Sequence, residues 1–210
     1  MMDRRSAFIV EHLRLDPVPS LPDITLYTAH SGSRLSQLAS EAADPPAPYW
    51  AYQWAGGLAL AQHFRAHPEL VSGRTVLDLG AGSGLVAIVA AKLGASASAA
   101  EIDPHGRAAI ALNAAANEVI VPLLELDFAA PPPRVDLIAA GDVFYNPDVA
   151  AIMLPFLRAC VSLGIDVLVG DPTRRDLPVT ALIPLASYPV ADVGDAPASA
   201  ERVGSVYRLR

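Results

Sequence analysis

The segment Thr75-Val-Leu-Asp-Leu-Gly80-Ala-Gly82-Ser-Gly84 constrains this chain more than any other. An apolar run of strand length ends in a turn with three alternate glycines and passes at once into an apolar helix-forming stretch. The glycines let backbone approach a ligand where side chains would collide, and the following helix offers amide donors. A chain built around such a unit folds as an α/β domain with a mainly parallel sheet and a ligand crevice beyond the carboxyl ends of its strands. The rest of the sequence keeps that rhythm. The pattern predicts helices over 57–67, 84–93, 104–117 and 149–163, and strands over 75–79, 96–101, 123–126, 135–140 and 165–169. Residues 181–189 and 202–209 read as two strands joined by a loop over 191–201, an antiparallel hairpin closing the sheet.

Proline clusters at 17–22, 45–48 and 131–133 mark boundaries. The first two fence off residues 1–47 as an N-terminal arm, with short helices over 6–15 and 34–43 and extended chain over 24–28, leaving 48–210 as the main domain. At 210 residues and 52% hydrophobic the chain has the apolar content of one cored domain, which excludes disorder of the whole. Its 15 basic residues against 22 acidic ones, with no basic stripe, argue against an electrostatic grip on nucleic acid. Cys160 is the only cysteine, so no intrachain disulfide or cysteine zinc cluster forms, and its apolar helix makes it a buried thiol. His63 and His67 have metal-pair spacing but no third ligand, so they read as a helix-surface pair, and no metal is expected. The N-terminal apolar run is broken by Glu11 and His12, and no later apolar stretch crosses a bilayer without charge or proline. The expectation is a monomer without membrane partners, in the bacterial cytoplasm, or in the mitochondrial matrix if eukaryotic.

The glycine spacing departs from the dinucleotide pattern Gly-x-Gly-x-x-Gly, and Asp78 stands two residues before the first glycine. A carboxylate there repels a pyrophosphate and suits a ligand carrying an amino group. S-adenosylmethionine fits. About 20 residues further on, Glu101 stands where a ribose presents its hydroxyls, with Asp103 beside it as a helix cap; a pair of solvated caps is the alternative. Asp127, at the next loop of the same edge, is placed to accept from an adenine amino group, with Phe128 near the ring.

The fourth strand ends in Gly141-Asp142-Val143-Phe144-Tyr145-Asn146. Asp142 there can hold an incoming ammonium and, through water, help remove its proton, while Phe144 and Tyr145 wall its path or simply pack. Nucleic-acid amino methyltransferases carry paired prolines at this point, and this chain has none. Upstream, Tyr49, Trp50, Tyr52 and Trp54 crowd a Gly56-Gly57 helix start, which suggests a lid over the cofactor or substrate channel, with core packing as the rival role for Trp50. The turn 170–175 lies on the same edge and either shapes the substrate entrance or is an ordinary turn.

Through Pro48-Tyr49-Trp50-Ala51, Trp54-x-Gly56-Gly57, Val76 to Gly80, Ile102-Asp103-Pro104, Gly141-Asp142-x-Phe144-Tyr145 and Gly170-Asp171-Pro172, the sequence resembles the seven-strand S-adenosylmethionine-dependent methyltransferases of protein lysines, above all those acting on the electron transfer flavoprotein beta subunit. The resemblance covers nearly everything after Pro48. It implies a Rossmann-like seven-strand sheet ordered 3-2-1-4-5-7-6 with the last strand antiparallel. It implies that Asp142 and Tyr145 form an Asp-x-x-Tyr catalytic element. The cofactor would be held by Trp54, Asp78, Gly80, Gly82, Gly84, Glu101, Asp127 and Asp142, leaving S-adenosylhomocysteine as product. Trp50, Phe144 and Asp171 would face a protein substrate, the flavoprotein beta subunit. The readings left open are methylation of another substrate, such as a ribosomal protein or a small molecule, a nicotinamide-dependent oxidoreductase, and a flavoprotein-binding module without catalysis.

Overall fold

A computed structural model describes residues 2–40, 47–190 and 202–210. After helix α1 (Arg4–His12), strands β1 (Arg14–Val18) and β2 (Leu21–Thr28) form an antiparallel hairpin. The α/β unit then runs α2 (Ala55–Ala66), β3 (Thr75–Leu79), α3 (Leu85–Lys92), β4 (Ser96–Ala100), α4 (Pro104–Ala116), β5 (Leu137–Gly141), α5 (Pro147–Ser162), β6 (Asp166–Asp171), β7 (Leu182–Val190) and β8 (Arg202–Leu209).

The main sheet has the order β4-β3-β5-β6-β8-β7, with β8 antiparallel to both neighbours. The strand expected over 123–126 contributes one bridge, Leu123 to Ala99, on the outer side of β4. Counting that bridge as the third strand, the lateral order is the expected 3-2-1-4-5-7-6. Its shortness has a local cause. Pro122 has no amide to donate, so the pairing is limited to Ala99 N–H donating to Pro122 O and Leu124 N–H to Ala99 O.

The sheet is apolar on both faces, as a parallel sheet covered by helices must be. Val76, Leu137, Ala139 and Leu168 pack with α2 and α3 on one face, and Leu77, Leu79, Ile138 and Val169 pack with α5 on the other. The prolines of the arm punctuate a hairpin rather than end structure, because Pro17 and Pro22 lie within its two short strands. Its inner residues Ile24 and Leu26 are fully buried in the main core. The hairpin is fastened by side chains of α4 and its C-cap: the Thr25 and Tyr27 amides donate to the Oδ1 atoms of Asn117 (3.0 Å) and Asn113 (2.8 Å). The helix expected over 34–43 is a 3-10 segment, Leu35–Ser40, within the described residues. The loop over 191–201 lies outside the described residues. Among those described, no helix is long and apolar enough to cross a membrane.

Candidate active site

The strand β3 delivers Asp78 and then turns through positive φ at Gly80 (68°), Gly82 (53°) and Gly84 (82°) before α3 starts. Four amides of this turn are already used inside the protein. Gly80 and Ala81 N–H donate to Ala100 O, Gly84 N–H to Ala81 O, and Gly82 N–H to Glu101 Oε2 at 2.8 Å. At the start of α3, Ala87 N–H donates to Asp78 Oδ2 at 3.0 Å. A turn whose donors are spent on carbonyls and its own carboxylates is a poor phosphate cradle. Its charge points the other way. Burial pushes the Asp78 carboxyl up to about 7, against the Ala87 amide, and burial raises Glu101 against the amides of Asp103 and Gly82.

Opposite this turn stands the start of α2. Its N-cap residue Trp54 has no side-chain cap, and Asp142 supplies one from across the sheet, with Oδ2 accepting from Gly57 N–H at 3.0 Å. That bond requires very close backbone approach. A methyl group on Gly56 would sit 2.5 Å from Asp142 Oδ2 and 2.6 Å from the Gly170 carbonyl carbon, and one on Gly141 would sit 2.9 Å from Gly57 Cα. Glycines at 56, 141 and 170 therefore let the helix end rest directly on the carboxyl ends of β5 and β6. Between the helix start and the glycine turn opens a cleft lined by Tyr52, Gln53, Trp54, Gly57, Asp78, Gly80, Gly82 and Asp142 among others.

Asp142 has φ 56°, unusual for a residue with a side chain, and is 9% exposed. Its Oδ1 accepts from Arg174 Nε (3.2 Å) and Nη2 (2.8 Å). Burial raises its carboxyl above the ordinary value, and the Arg174 guanidinium opposes that rise. Arg174 also lies over the Trp54 ring, 5.6 Å from its centroid. Trp54 is fixed by its indole N–H donating to Tyr49 O at 2.7 Å. At the rim, Tyr145 is 45% exposed with its ring against Tyr49, and burial holds its hydroxyl above the usual range.

The structure thus brings together Trp54, Asp78, Gly80, Gly82 and Asp142 around one cleft, with Glu101 bonded to the turn and Tyr145 at the rim. It does not bring all the expected residues there. Trp50 is 2% exposed, stacked on His105 and packed with Ile9, Leu13 and Ala109, so it is a core residue and presents no face to a protein substrate. Phe144 is fully buried in the core beneath the sheet, pointing away from its exposed neighbour Tyr145. Asp171 is also fully buried and bonds the Arg174 amide through Oδ1 at 2.6 Å, so it serves the turn and not a bound surface. Asp127 is exposed and caps its own turn at Ala129 N–H, while Phe128 packs edge-to-face on Phe156 instead of facing the cleft. Gly84 makes the helix start, its missing side chain leaving room for Ile110. His63 is buried and bonded to the Tyr188 hydroxyl at 2.8 Å, so the histidine pair is not a surface pair.

Two residues carry roles that the sequence did not assign, Arg174 within the turn 170–175 and Asn113. Arg174 follows Gly-Asp-Pro at the same sheet edge, and a base there beside Asp142 was the available signal. Asn113 ties the hairpin to the glycine turn, since its Nδ2 donates to Ser83 O at 2.8 Å. Nothing in a helix of alanines marks it.

Comparison with known proteins bears on the fold and the family. The family model for ribosomal protein L11 methyltransferase (PrmA) matches residues 64–141. Among solved structures, the ribosomal protein L11 methylase of Lactobacillus delbrueckii subsp. bulgaricus shares the fold, with a TM-score of 0.51 and 22% identity over 72% of this chain and 77% of that one. So does the magnesium protoporphyrin IX methyltransferase of Synechocystis with bound SAM, with a TM-score of 0.50 and 14% identity over 71% of this chain and 79% of that one. The human electron transfer flavoprotein beta subunit lysine methyltransferase is 39% identical over 60% of this chain, which spans 50% of that relative's length. The Xenopus laevis protein of the same name is 35% identical over 198 residues, 89% of this chain and 79% of that protein. The chain therefore belongs to the family of electron transfer flavoprotein beta subunit lysine methyltransferases.

Proposed function

We propose that this chain transfers methyl groups from S-adenosylmethionine to lysine ε-amines of a protein, the electron transfer flavoprotein beta subunit. The observation that carries the cofactor is the balance of charge and donors around the cleft. Asp78, Glu101 and Asp142 line or brace it, and the glycine turn keeps few amides for an anion. This disfavours the pyrophosphate of a nicotinamide dinucleotide and suits a ligand with a cationic amino acid end. The substrate rests on the relatives' names.

When bound, S-adenosylmethionine supplies an electrophilic methyl group on a sulfonium. The residues present fit it. Asp78 faces the cleft at the foot of the turn, positioned for the ammonium of the amino acid end. Glu101 retains acceptor sites for ribose hydroxyls beyond the two amides it binds. Tyr49, Trp54 and Tyr145 form the apolar rim that excludes water from an entering lysine, and desolvation favours the neutral amine that has a lone pair to donate. Asp142 draws the cationic side chain in and orients it, so its role is electrostatic positioning and acceptance of the amine's hydrogen.

Incubation with methyl-labelled S-adenosylmethionine and purified electron transfer flavoprotein beta subunit tests this. Methyl-lysine located by peptide mass spectrometry is the expected result. Binding of the cofactor with no label on any lysine of that protein would refute the substrate, and label confined to nucleic acid or small molecules would refute the class.

A further inference from the structure

The turn after β6 carries a side chain back across the sheet edge to the site. Asp171, the last residue of β6, holds the Arg174 amide at 2.6 Å, and the turn between them passes through Thr173 at φ 71°. That region strains any residue that carries a side chain. The guanidinium that this turn presents then binds two parts of the site on different elements. It donates twice to Asp142 Oδ1 at the end of β5, and it covers the ring of Trp54 at the start of α2. Asp142 is itself held at a positive φ, so its carboxylate direction depends on its partners. On one side they are Arg174 Nε and Nη2, and on the other Gly57 N–H.

We propose that Arg174 is a positioning residue for methyl transfer, clamping the Asp142 carboxylate and the Trp54 ring in one relative geometry, with Asp171 setting the clamp. The inference rests on the reading of Asp142 and Trp54 as amine and cofactor residues. A planar guanidinium serves this task and an ammonium does not, because it gives two in-plane N–H groups to one acid while its face stacks on an indole. The acidic groups set against it are Asp142, which it pairs with directly, and Asp171, whose carboxylate holds its own amide. Taking the guanidinium away leaves Asp142 buried without that counter-charge, which raises the pH at which it ionises.

Arg174→Ala and Arg174→Lys test the clamp. In the cofactor-free protein, a carbon-13 carboxyl titration of Asp142 is expected to move to higher pH in both variants, more in the alanine one. In turnover, kcat is expected to fall roughly 10–100-fold with the acid limb of the rate profile displaced upward, because a loosened Asp142 misplaces the amine. Guanidinium ion at low, non-denaturing concentration is expected to restore part of the rate and return the Asp142 titration toward that of the wild type in Arg174→Ala. Unchanged kcat and an unmoved titration overturn the proposal. Competition between guanidinium and the protein substrate also overturns it, since Arg174 would then be an occupant of the amine's place. If the alanine variant does not fold, Arg174→Gln supplies the same comparison without the charge. A wild-type protein that methylates no lysine refutes the proposed function instead, while the titration still reports whether Arg174 holds Asp142.

Discussion

Replacing Gly56 by alanine isolates the contact on which the site geometry depends. In a free helix this change stabilises by up to about 1 kcal/mol, because alanine loses less chain entropy than glycine. Here the new methyl carbon would lie 2.6 Å from the Gly170 carbonyl carbon and 2.5 Å from Asp142 Oδ2, where such contacts settle near 3.5–4.0 Å. The Gly170 neighbour is backbone and the Asp142 carboxylate is held by Gly57 N–H and Arg174, so the α2 start must lift from the sheet. Overpacking of this kind costs about 1–3 kcal/mol. Loss of the Gly57 amide bond to the Asp142 carboxylate adds about 1.5–3 kcal/mol. The strain outweighs the propensity gain, and a net loss of roughly 1.5–5 kcal/mol is expected, read as a fall in Tm of roughly 3–20 °C for a chain of this size. Urea unfolding followed by circular dichroism and tryptophan fluorescence measures it, with cofactor affinity by calorimetry. Gly57→Ala is the control, because a methyl there meets only Val86 Cγ2, at 3.9 Å, and points into the cleft. It is expected to leave stability near the wild type and weaken cofactor binding. A Gly56→Ala protein within about 0.5 kcal/mol of the wild type, with unaltered affinity, would refute the close-approach argument.

Asp78 makes stability depend on pH in a stated direction. Its carboxyl titrates near 7 in the folded chain, above the ordinary carboxylate range, so the stabilisation is fully present at low pH and is lost as pH rises through about 7. The urea midpoint is expected to fall between about pH 4 and 7, and Asp78→Asn to flatten that fall except for the parts from Asp171, which titrates near 6, and from Glu101 and Asp142, both raised by burial. For the same reason, S-adenosylmethionine binding at neutral pH is expected to release protons, read from calorimetry in two buffers of different ionisation enthalpy; proton uptake would contradict a cation beside Asp78. Trp50→Ala is expected to lose about 3–5 kcal/mol of stability as a core truncation, and Trp50→Phe to leave KM for the protein substrate unchanged. A raised KM at full stability would return Trp50 to the substrate surface. Asn113→Ala strands the Tyr27 amide and the Ser83 carbonyl, each costing about 1–3 kcal/mol when buried, and faster hydrogen exchange over 25–28 is the expected sign.

Residues 75–92 were legible because pattern and chemistry coincide there: an apolar run, a turn with glycines at positive φ, and an apolar helix. The site was legible only in part. Tyr145 and Phe144 are neighbours with opposite fates, 45% and 0% exposed, and Trp50 and Trp54 differ in the same way across one short segment. Where the chain leaves a strand through a positive φ at Asp142, no simple period says which side chain faces the cleft. The strand after α4 was overread because Pro122 withholds an amide that a ladder needs. The arm was underread because prolines that usually end elements here sit inside a hairpin whose partner amides belong to α4.

That hairpin also sets an order of events as the chain is made. The side chains that fasten Thr25 and Tyr27 lie 92 and 86 residues downstream, and at ordinary elongation rates they follow by roughly 5–20 s. The hairpin can close on itself from nearby residues at once, but Ile24 and Leu26 have no core to enter until α4 leaves the ribosome. Through Ser83 the same asparagine that receives the hairpin also steadies the glycine turn. The hairpin is therefore made well before the residues that seat it, and the asparagine that seats it also braces the turn that lines the ligand cleft.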